Sequence, residues 1–519
     1  MPFHLVWIAL CLVLGANAAH AQPPAIHLEG IVPDGAETHF FLDFEVPEGI
    51  VEIEVQHDDL SSQNILDWGL DDPNGFRGWG GGNSEPAIVG VEAASRSYVP
   101  GPIVAGTWQV VVGKAQILET PARYVVDVFR RTEATLPSQP RAPYADPGLL
   151  DTEARWYAGD FHVHSRESGD ASPSIEEIMG FAQGVGLDFI MLSEHNTNSG
   201  LTLYASVQPN YPKLLILPGV EWTTYAGHAG GIGATDWVDH KTGVRGVTAA
   251  GAIQAYHDQS ALFSINHPTV PGGTFCIGCP WEIAVDPLTL DGVEVQSGIW
   301  EAIDYWEEQC ADGSHAAALG GSDDHKGGRV DTVLDSPIGT PTTMVFANGL
   351  SVDAILAGIR NGRTVVKNNG IDGPMLETEL TGERMGDTVF ADTATLSVVV
   401  RNADGQTLQT IKNGSVIERI EITGDPFTHE TSVDAPAEGE DRYRHQVVIG
   451  IAPQAVGSYV WLRAAEVVPP DGGTPDGGTE PGGSSGGGCR VAGASGFDMG
   501  FLLAIMALVG WGVRRQLTR

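Results

Sequence analysis

Hydrophobic and polar residues alternate with a period of two from about Ile26 to Arg131. Val51, Ile53 and Val55 fall on one side of a strand with Glu52 and Glu54 on the other, and Tyr124 to Phe129 is β-branched and aromatic. Turn signals separate such segments, among them Asp72-Pro73-Asn74-Gly75 and the run Gly80 to Gly82. The pattern predicts an N-terminal β-sandwich over residues 22–135, closed by a Pro-rich connector from Leu136 to Pro147. From Trp156 the texture changes to short apolar runs between helical stretches. Phe161–His164, Phe189–Leu192, Leu214–Val220, Leu262–Ile265, Val293–Val295 and Met344–Phe346 read as strands. Ser172-Pro173 reads as the cap and first residue of a helix, with Glu176 and Glu177 in its first turn and Ile175, Met179, Ala182 and Val185 as its apolar stripe. This alternation predicts a parallel β/α barrel over residues 148–372. Period two returns in Leu396–Val400, Val416–Ile422, Val447–Ile449 and Tyr459–Leu462, which predicts a smaller C-terminal β domain over 373–468. The fold class is therefore α/β, a barrel flanked by two β domains.

The two ends change the picture. An apolar run from Leu5 to Leu14 followed by Ala19-His20-Ala21 reads as a signal peptide over residues 1–21. Cys11 lies inside the apolar run with no lipobox-like Leu and Gly before it, which argues against a lipoprotein. Residues 469–488 are almost all Pro, Gly, Asp, Thr and Ser, a linker composition that builds no core. Cys489-Arg490, an apolar stretch from Met499 to Val513 and the terminal arginines read as a membrane anchor over 489–519, about 22 Å long as a helix. This tail resembles bacterial sorting tails of the MYXO-CTERM type, which implies anchoring in the envelope and processing near Cys489. The expected location is thus exported, at the cell envelope or outer surface.

A net charge of −38 over 519 residues argues against sequence-independent nucleic-acid binding, which relies on Lys and Arg. Export favours a disulfide among Cys276, Cys279 and Cys310, and the expectation is that one of the first two bonds Cys310.

Sixteen histidines are unevenly spread. His162 and His164 end a predicted strand, where residues i and i+2 face one side and two imidazoles converge on one ion. Asp170, Glu194-His195, Glu221, His228, Asn266-His267-Pro268 and Ser322-Asp323-Asp324-His325 follow, most of them after an apolar strand. Ligands at the C-terminal ends of barrel strands meet at one mouth, so the pattern points to a metal site.

Gly159-Asp160-Phe161-His162-Val163-His164, Ser193-Glu194-His195-Asn196, Gly219-Val220-Glu221, Asn266-His267-Pro268 and Gly321-Ser322-Asp323-Asp324-His325 together resemble the polymerase-and-histidinol-phosphatase (PHP) family, and within it the carbaryl-hydrolase-like branch. The resemblance covers about residues 156–370. It implies a distorted (β/α)7 barrel holding two or three divalent metal ions, zinc, manganese or iron. It implies as metal ligands His162, His164, Asp170, His195, Glu221, His228, His267, Asp323 and His325. Glu221 is the expected bridging carboxylate, and Glu221, Asp323 and His325 are the expected catalytic residues. Two positions depart from the family pattern. Glu194 stands where Asp is usual and is expected to orient an imidazole; the acid after the paired histidines is Asp170, with Glu167 as competitor. More weakly, Gly106 to Val112 resembles the closing strands of prepeptidase-type jelly-roll domains.

A pair of divalent cations lowers the pKa of a bridging water, which suits phosphoester hydrolysis and equally ester, carbamate or amide hydrolysis. The expected partners are a small-molecule or phosphoester substrate, and the membrane through the C-terminal helix. A non-catalytic surface binding protein on the same scaffold is the contrasting reading. Lys326, Arg329 and Arg245 are candidates for holding an anionic substrate, Trp222 and Tyr225 for lining its pocket, and Asp324 for supporting the ligands. His240, His257 and His315 are expected to be structural or exposed.

Overall fold

The structure is a computed structural model and describes residues 24–273 and 276–465. The expected signal peptide, linker and anchor lie outside these residues. Among the described residues no helix is long and apolar enough to cross a membrane.

The N-terminal strands form two four-stranded antiparallel sheets. One runs Ile26–Ile31, Arg123–Arg131, Glu52–Asp58, Ala87–Gly90, the other His39–Val46, Gly106–Gln116, Ile65–Asp72, Gly75–Gly81. Ile53, Val55, Trp108, Val110, Val126 and Val128 fill the space between them, as the alternation demands. The other face of Glu52–Asp58 departs from that reading, because Glu52 is fully buried. Its carboxylate accepts from the Thr135 backbone N–H at 2.9 Å and the Thr135 hydroxyl at 2.6 Å, tying the connector down onto the sheet.

Seven strands surround the histidine-rich segments: β1 (Asp151–Val163), β2 (Phe189–Leu192), β3 (Gly219–Thr224), β4 (Gly227–Ile232), β5 (Leu262–Asn266), β6 (Gly292–Ser297) and β7 (Ala317–Gly321). β1 and β2 are parallel in one sheet; β3 to β7 lie in a second. The two sheets meet at isolated parallel bridges, Val163 with Asp324 and His195 with Glu221. Leu215–Leu217 also pairs in parallel with β2 and ends the first sheet, and single bridges stand where a closed barrel has continuous ladders, so the expected seven-stranded barrel is not present as one closed sheet. The expected parallel order is also broken, since β4 is antiparallel to both β3 and β5. Two residues, Tyr225 and Ala226, join β3 to β4, far too few for the crossover that parallel strands need.

Helices α1 (Ile175–Val185), α2 (Ala249–Asp258), α3 (Ile303–Ala311) and α4 (Val352–Arg360) pack against these strands. α1 starts two residues later than Ser172-Pro173 suggests. Ser174 is its cap, in a reciprocal capping box with Glu177, so the side chain three residues on decided the start. The sheet containing β1 continues through Thr342–Leu350 and Thr364–Lys367 into Ala452–Gly457 and Asp441–Ile449, so the C-terminal strands are hydrogen-bonded to the central ones. Glu307 of α3 adds a polar tie, accepting from Arg444 Nε at 2.9 Å and from the Tyr459 hydroxyl.

His445 is fully buried in the strand Asp441–Ile449, with Nδ1 3.0 Å from the Thr378 hydroxyl. Burial, then His429 and Arg444, push its pKa down to about 3, so it stays neutral in the fold while the unfolded chain takes up a proton below about 6.5. Its contribution to stability is therefore complete above that pH and is lost as pH falls toward 3, about 2 kcal/mol by pH 5. Urea unfolding at pH 7 and pH 5 should show a smaller pH-dependent loss for H445Q than for the parent chain; an equal loss would contradict the assignment.

Candidate metal centre

The end of β1 places His162 and His164 on one face, and both are buried. Around them stand His195 after β2, Glu221 on β3, His228 on β4, His267 after β5, and Asp323 and His325 after β7. Antiparallel pairing sets Thr223 of β3 opposite His228, and His228 opposite Asn266, which brings three elements to one spot.

Glu221 is the hub and has no exposed surface. Its Oε1 lies 3.2 Å from His162 Nε2, 3.0 Å from His267 Nε2 and 3.5 Å from His228 Nδ1, and its Oε2 2.8 Å from His195 Nδ1. Asp323 Oδ1 lies 3.2 Å from both His162 Nε2 and His164 Nε2. At the open side Asp170 Oδ2 is 3.1 Å from His195 Nε2 and 3.4 Å from His325 Nε2. All nine predicted ligands are thus in one cluster. Glu167, the competitor of Asp170, is directed elsewhere, accepting from the Ser199 hydroxyl at 2.9 Å and pairing with Arg141.

Most of these imidazoles are held through one nitrogen. His162 Nδ1 is 3.1 Å from Glu294, His164 Nδ1 3.0 Å from the Ser168 hydroxyl, and His228 Nε2 2.7 Å from the Ile277 carbonyl. The opposite nitrogens of the three, His162 Nε2, His164 Nε2 and His228 Nδ1, are buried and make no hydrogen bond. A buried imidazole fixed at one nitrogen with the other unsatisfied has the geometry of a metal ligand. Groups of donor atoms close enough to share an ion are His164, His195 and His325; His162, His164 and Asp323; and His162, Glu221 and His267.

Electrostatics agree with an anionic hub among acceptors of positive charge. Burial pushes the Glu221 carboxyl up, but His162, His195 and His228 outweigh this and hold it well below the usual range. Burial, then His325 and His195, push His164 down to about 3, leaving it neutral.

The backbone is bent for this purpose. Asn196, His267 and Asp323 have φ of 53°, 28° and 55°, a region that residues with a Cβ rarely enter. At Gly321 an added Cβ would lie 2.3 Å from His162 Cβ and 2.7 Å from Glu294 Oε1, so only glycine lets β7 approach β1.

Several contributors escaped the sequence reading. Glu294, buried between Val293 and Val295 on β6, holds His162 Nδ1 and accepts from the His267 backbone N–H at 2.7 Å. An acid inside an otherwise apolar strand was the available signal. Asp160 is fully buried and accepts from the backbone N–H groups of His162, Ser322 and Gly339 at 3.1, 3.0 and 2.7 Å, which locks the β1 and β7 ends together.

Other expectations need correction. Glu194 orients no imidazole; its carboxylate accepts from the Ser165 backbone and hydroxyl at 3.1 and 2.6 Å. Asp324 does support the ligands: its backbone carbonyl accepts from the His164 N–H at 2.9 Å, and its carboxylate accepts from the backbone N–H groups of Lys326 and Gly328 in the loop after His325. Lys326 is tied to Asp335 at 2.9 Å, Arg329 donates to Ser172, and Arg245 lies over the Phe41 ring. Trp222 is core, whereas Tyr225 does line the cavity. His257 and His315 pair with Asp291 and Glu440. His240 is buried and lines the cavity wall. The disulfide joins Cys276 to Cys279, with Cα atoms 5.5 Å apart, and not either of them to Cys310. Cys310 is packed under α3 in the core with Trp306 and Tyr459. The bonded pair lies against the centre, with Cys279 Sγ 3.5 Å from His267 Nδ1.

The cluster opens into a cavity of about 770 Å³. Its lining includes Asp170, His195, Glu221, His267, Asp323 and His325, together with residues from the N-terminal sandwich.

Fold and site together define an α/β protein with a buried cluster of histidines and carboxylates that suits divalent metal binding. No family model matches the sequence, and no curated protein matches it. Among solved structures, one similar chain is a two-domain protein from Bacteroides vulgatus containing a predicted PHP-like metal-dependent phosphoesterase. It is 18% identical over 63% of this chain and 99% of that one, with a TM-score of 0.33. Another is a candidate metal-dependent phosphoesterase from Bifidobacterium adolescentis, 12% identical over 37% of this chain and 94% of that one, with a TM-score of 0.25. Likenesses this distant carry no argument about activity, which rests on the centre itself.

Two outcomes follow from the geometry. E221Q should remove the shared charge and lower bound metal by at least one ion per chain, read by elemental analysis of dialysed protein; full retention would contradict the hub role. G321A should cost metal content in the same assay, because a methyl group there displaces both His162 and Glu294.

Proposed function

We propose that the chain is a metal-dependent hydrolase of the PHP type, acting on a phosphoester or a related ester. The observation that carries the reading is that three buried imidazoles beside the Glu221 carboxylate, those of His162, His164 and His228, are each anchored at one nitrogen and unsatisfied at the other. Such a donor set fits divalent zinc, manganese or iron, because neutral imidazoles and carboxylates suit these ions. His162, His164 and Asp323 would hold one ion, Glu221 would be shared with a second, near His267 and His228, and Asp170, His195 and His325 would complete the centre on its open side.

Divalent cations in this position supply an acidified water and offset negative charge on the attacked and leaving oxygens. The chain's own residues do the rest. Asp170 and Asp323 have the most exposed side chains of the ligands, at 53% and 36%, and both line the cavity, so they meet the reacting group first. Glu294, Ser168, Thr223 and the Ile277 carbonyl fix the rings, so that little reorganisation is needed when a substrate arrives. Export and anchoring belong to the same proposal: the apolar N-terminal run and the tail after Cys489 would place the enzyme in the envelope, facing away from the cytoplasm.

Purified full-length protein should carry at least two divalent ions per chain and hydrolyse bis-p-nitrophenyl phosphate. A chelator should abolish turnover and re-addition of the metal restore it. Fewer than two ions would overturn the multinuclear reading. Fully metallated protein inactive on this diester and on p-nitrophenyl acetate would favour a binding protein.

A further inference from the structure

The cavity above the metal centre has a second wall that the proposed chemistry does not use. It comes from the N-terminal sandwich, the turn between β3 and β4 and the segment after β4: His39, Asp67, Trp79, Tyr225 and His240, with the Gly80–Gly82 turn beside them. These residues make an aromatic box. His39 stacks on Tyr225 with ring centres 5.2 Å apart and planes 13° from parallel, and Trp79 meets His240 edge-on at 4.5 Å. Asp67 accepts from the Tyr225 hydroxyl at 2.7 Å.

Two features of this wall lack a structural explanation. His39 and His240 are buried, at 3% and 2% exposure, yet His39 Nε2 and both nitrogens of His240 have no hydrogen-bond partner. Leaving three buried polar atoms unsatisfied costs stability, a cost that persists where a ligand completes the bonds. Both rings are neutral: burial, then Lys241, drive His39 down to about 3 and His240 well below its ordinary value. A neutral imidazole offers one donor and one acceptor, which matches a hydroxyl group and does not match a phosphate.

Charge narrows the ligand further. At this wall the charged lining residue is the acid Asp67, and the cation of the described lining, Lys326, is already bound by Asp335. Nearby, buried Lys241 is paired with Asp239 at 2.8 Å. This end of the cavity therefore disfavours a second anionic group. Aromatic faces suit the C–H face of a ring, while Asp67 and the two imidazoles suit its hydroxyls.

We propose that the sandwich and the barrel jointly form a subsite for a neutral, hydroxyl-rich ring, so that the substrate is a phosphodiester or related ester carrying a sugar-like group. The inference rests on the hydrolase reading and deepens it by naming the substrate class. The sandwich is then part of the active site, and it holds the part of the substrate that does not react.

Titration calorimetry on the metal-loaded full chain tests this, comparing a glucosyl methyl phosphodiester with dimethyl phosphate. The glucosyl diester should bind at least about tenfold tighter. H240F keeps a ring but removes both nitrogens, and it should reduce that ratio by about tenfold; D67N should do likewise. Near-ultraviolet circular dichroism and metal content verify that each variant is folded, and either variant suffices. Equal affinity for the two ligands, or an undiminished ratio in a folded variant, would overturn the subsite. Hydrolysis of bis-p-nitrophenyl phosphate, run in parallel, separates the two claims. Turnover with no glucosyl preference sinks the subsite alone, whereas glucosyl preference without turnover sinks the hydrolase and leaves the subsite standing.

Discussion

A carboxylate with no exposed surface, Glu221, sits within 3.5 Å of imidazole nitrogens from four different segments, and the rest of the centre is arranged around it. Removing such a charge from water costs several kcal/mol unless positive charge and hydrogen bonds offset the loss. Protonated imidazoles provide part of that compensation without an ion. They cannot all be protonated, however, because the rings stand beside one another: His164 and His325 have centres 4.1 Å apart, His164 and His195 4.5 Å. Divalent cations satisfy the carboxylates and the neutral rings together. That requirement explains why strand ends from two sheets converge here, and why three non-glycine residues tolerate positive φ at the convergence.

The shell behind the ligands is built with similar economy. Glu294 reaches both His162 and the His267 backbone, so one side chain on β6 sets two ligands. Asp160 joins the end of β1 to the segment after β7, the very place where the two sheets touch through a single bridge. Where the backbone ladder is thin, buried carboxylates do the joining. The disulfide-closed loop of Cys276 and Cys279 completes the enclosure, placing the Ile277 carbonyl on His228 and a sulfur beside His267.

The clustered residues were legible in the sequence because a strand's period of two puts His162 and His164 on one face, and because most of the later histidines and acids follow an apolar run. Local signals of that kind survive without tertiary knowledge. The features that were missed depend on contacts between distant segments. The Glu294 role requires knowing that β6 lies behind His162, 132 residues earlier. The Glu194 side chain turned to Ser165 because β1 and β2 are neighbours, which no spacing rule discloses. Cys310 was expected in a disulfide from compartment chemistry alone, but Cys276 and Cys279 bond each other and Cys310 stays a free thiol on the buried face of α3. The antiparallel β4 was absent from the predicted strands because its sequence, Gly-His-Ala-Gly-Gly-Ile, has three glycines and little of the β-branched or aromatic character that marks a strand. The aromatic wall was invisible for a similar reason: His39 and Trp79 come from the N-terminal sheets, Tyr225 and His240 from the central α/β part, and nothing local links them.

The most direct test of the central claim is anomalous diffraction from crystals of the metal-loaded protein, measured on both sides of the absorption edge of the bound ion. The account predicts at least two peaks inside the cluster, with the Glu221 carboxylate shared between two of them and Asp323 and His164 on one. A single peak, or peaks away from Glu221, would contradict it.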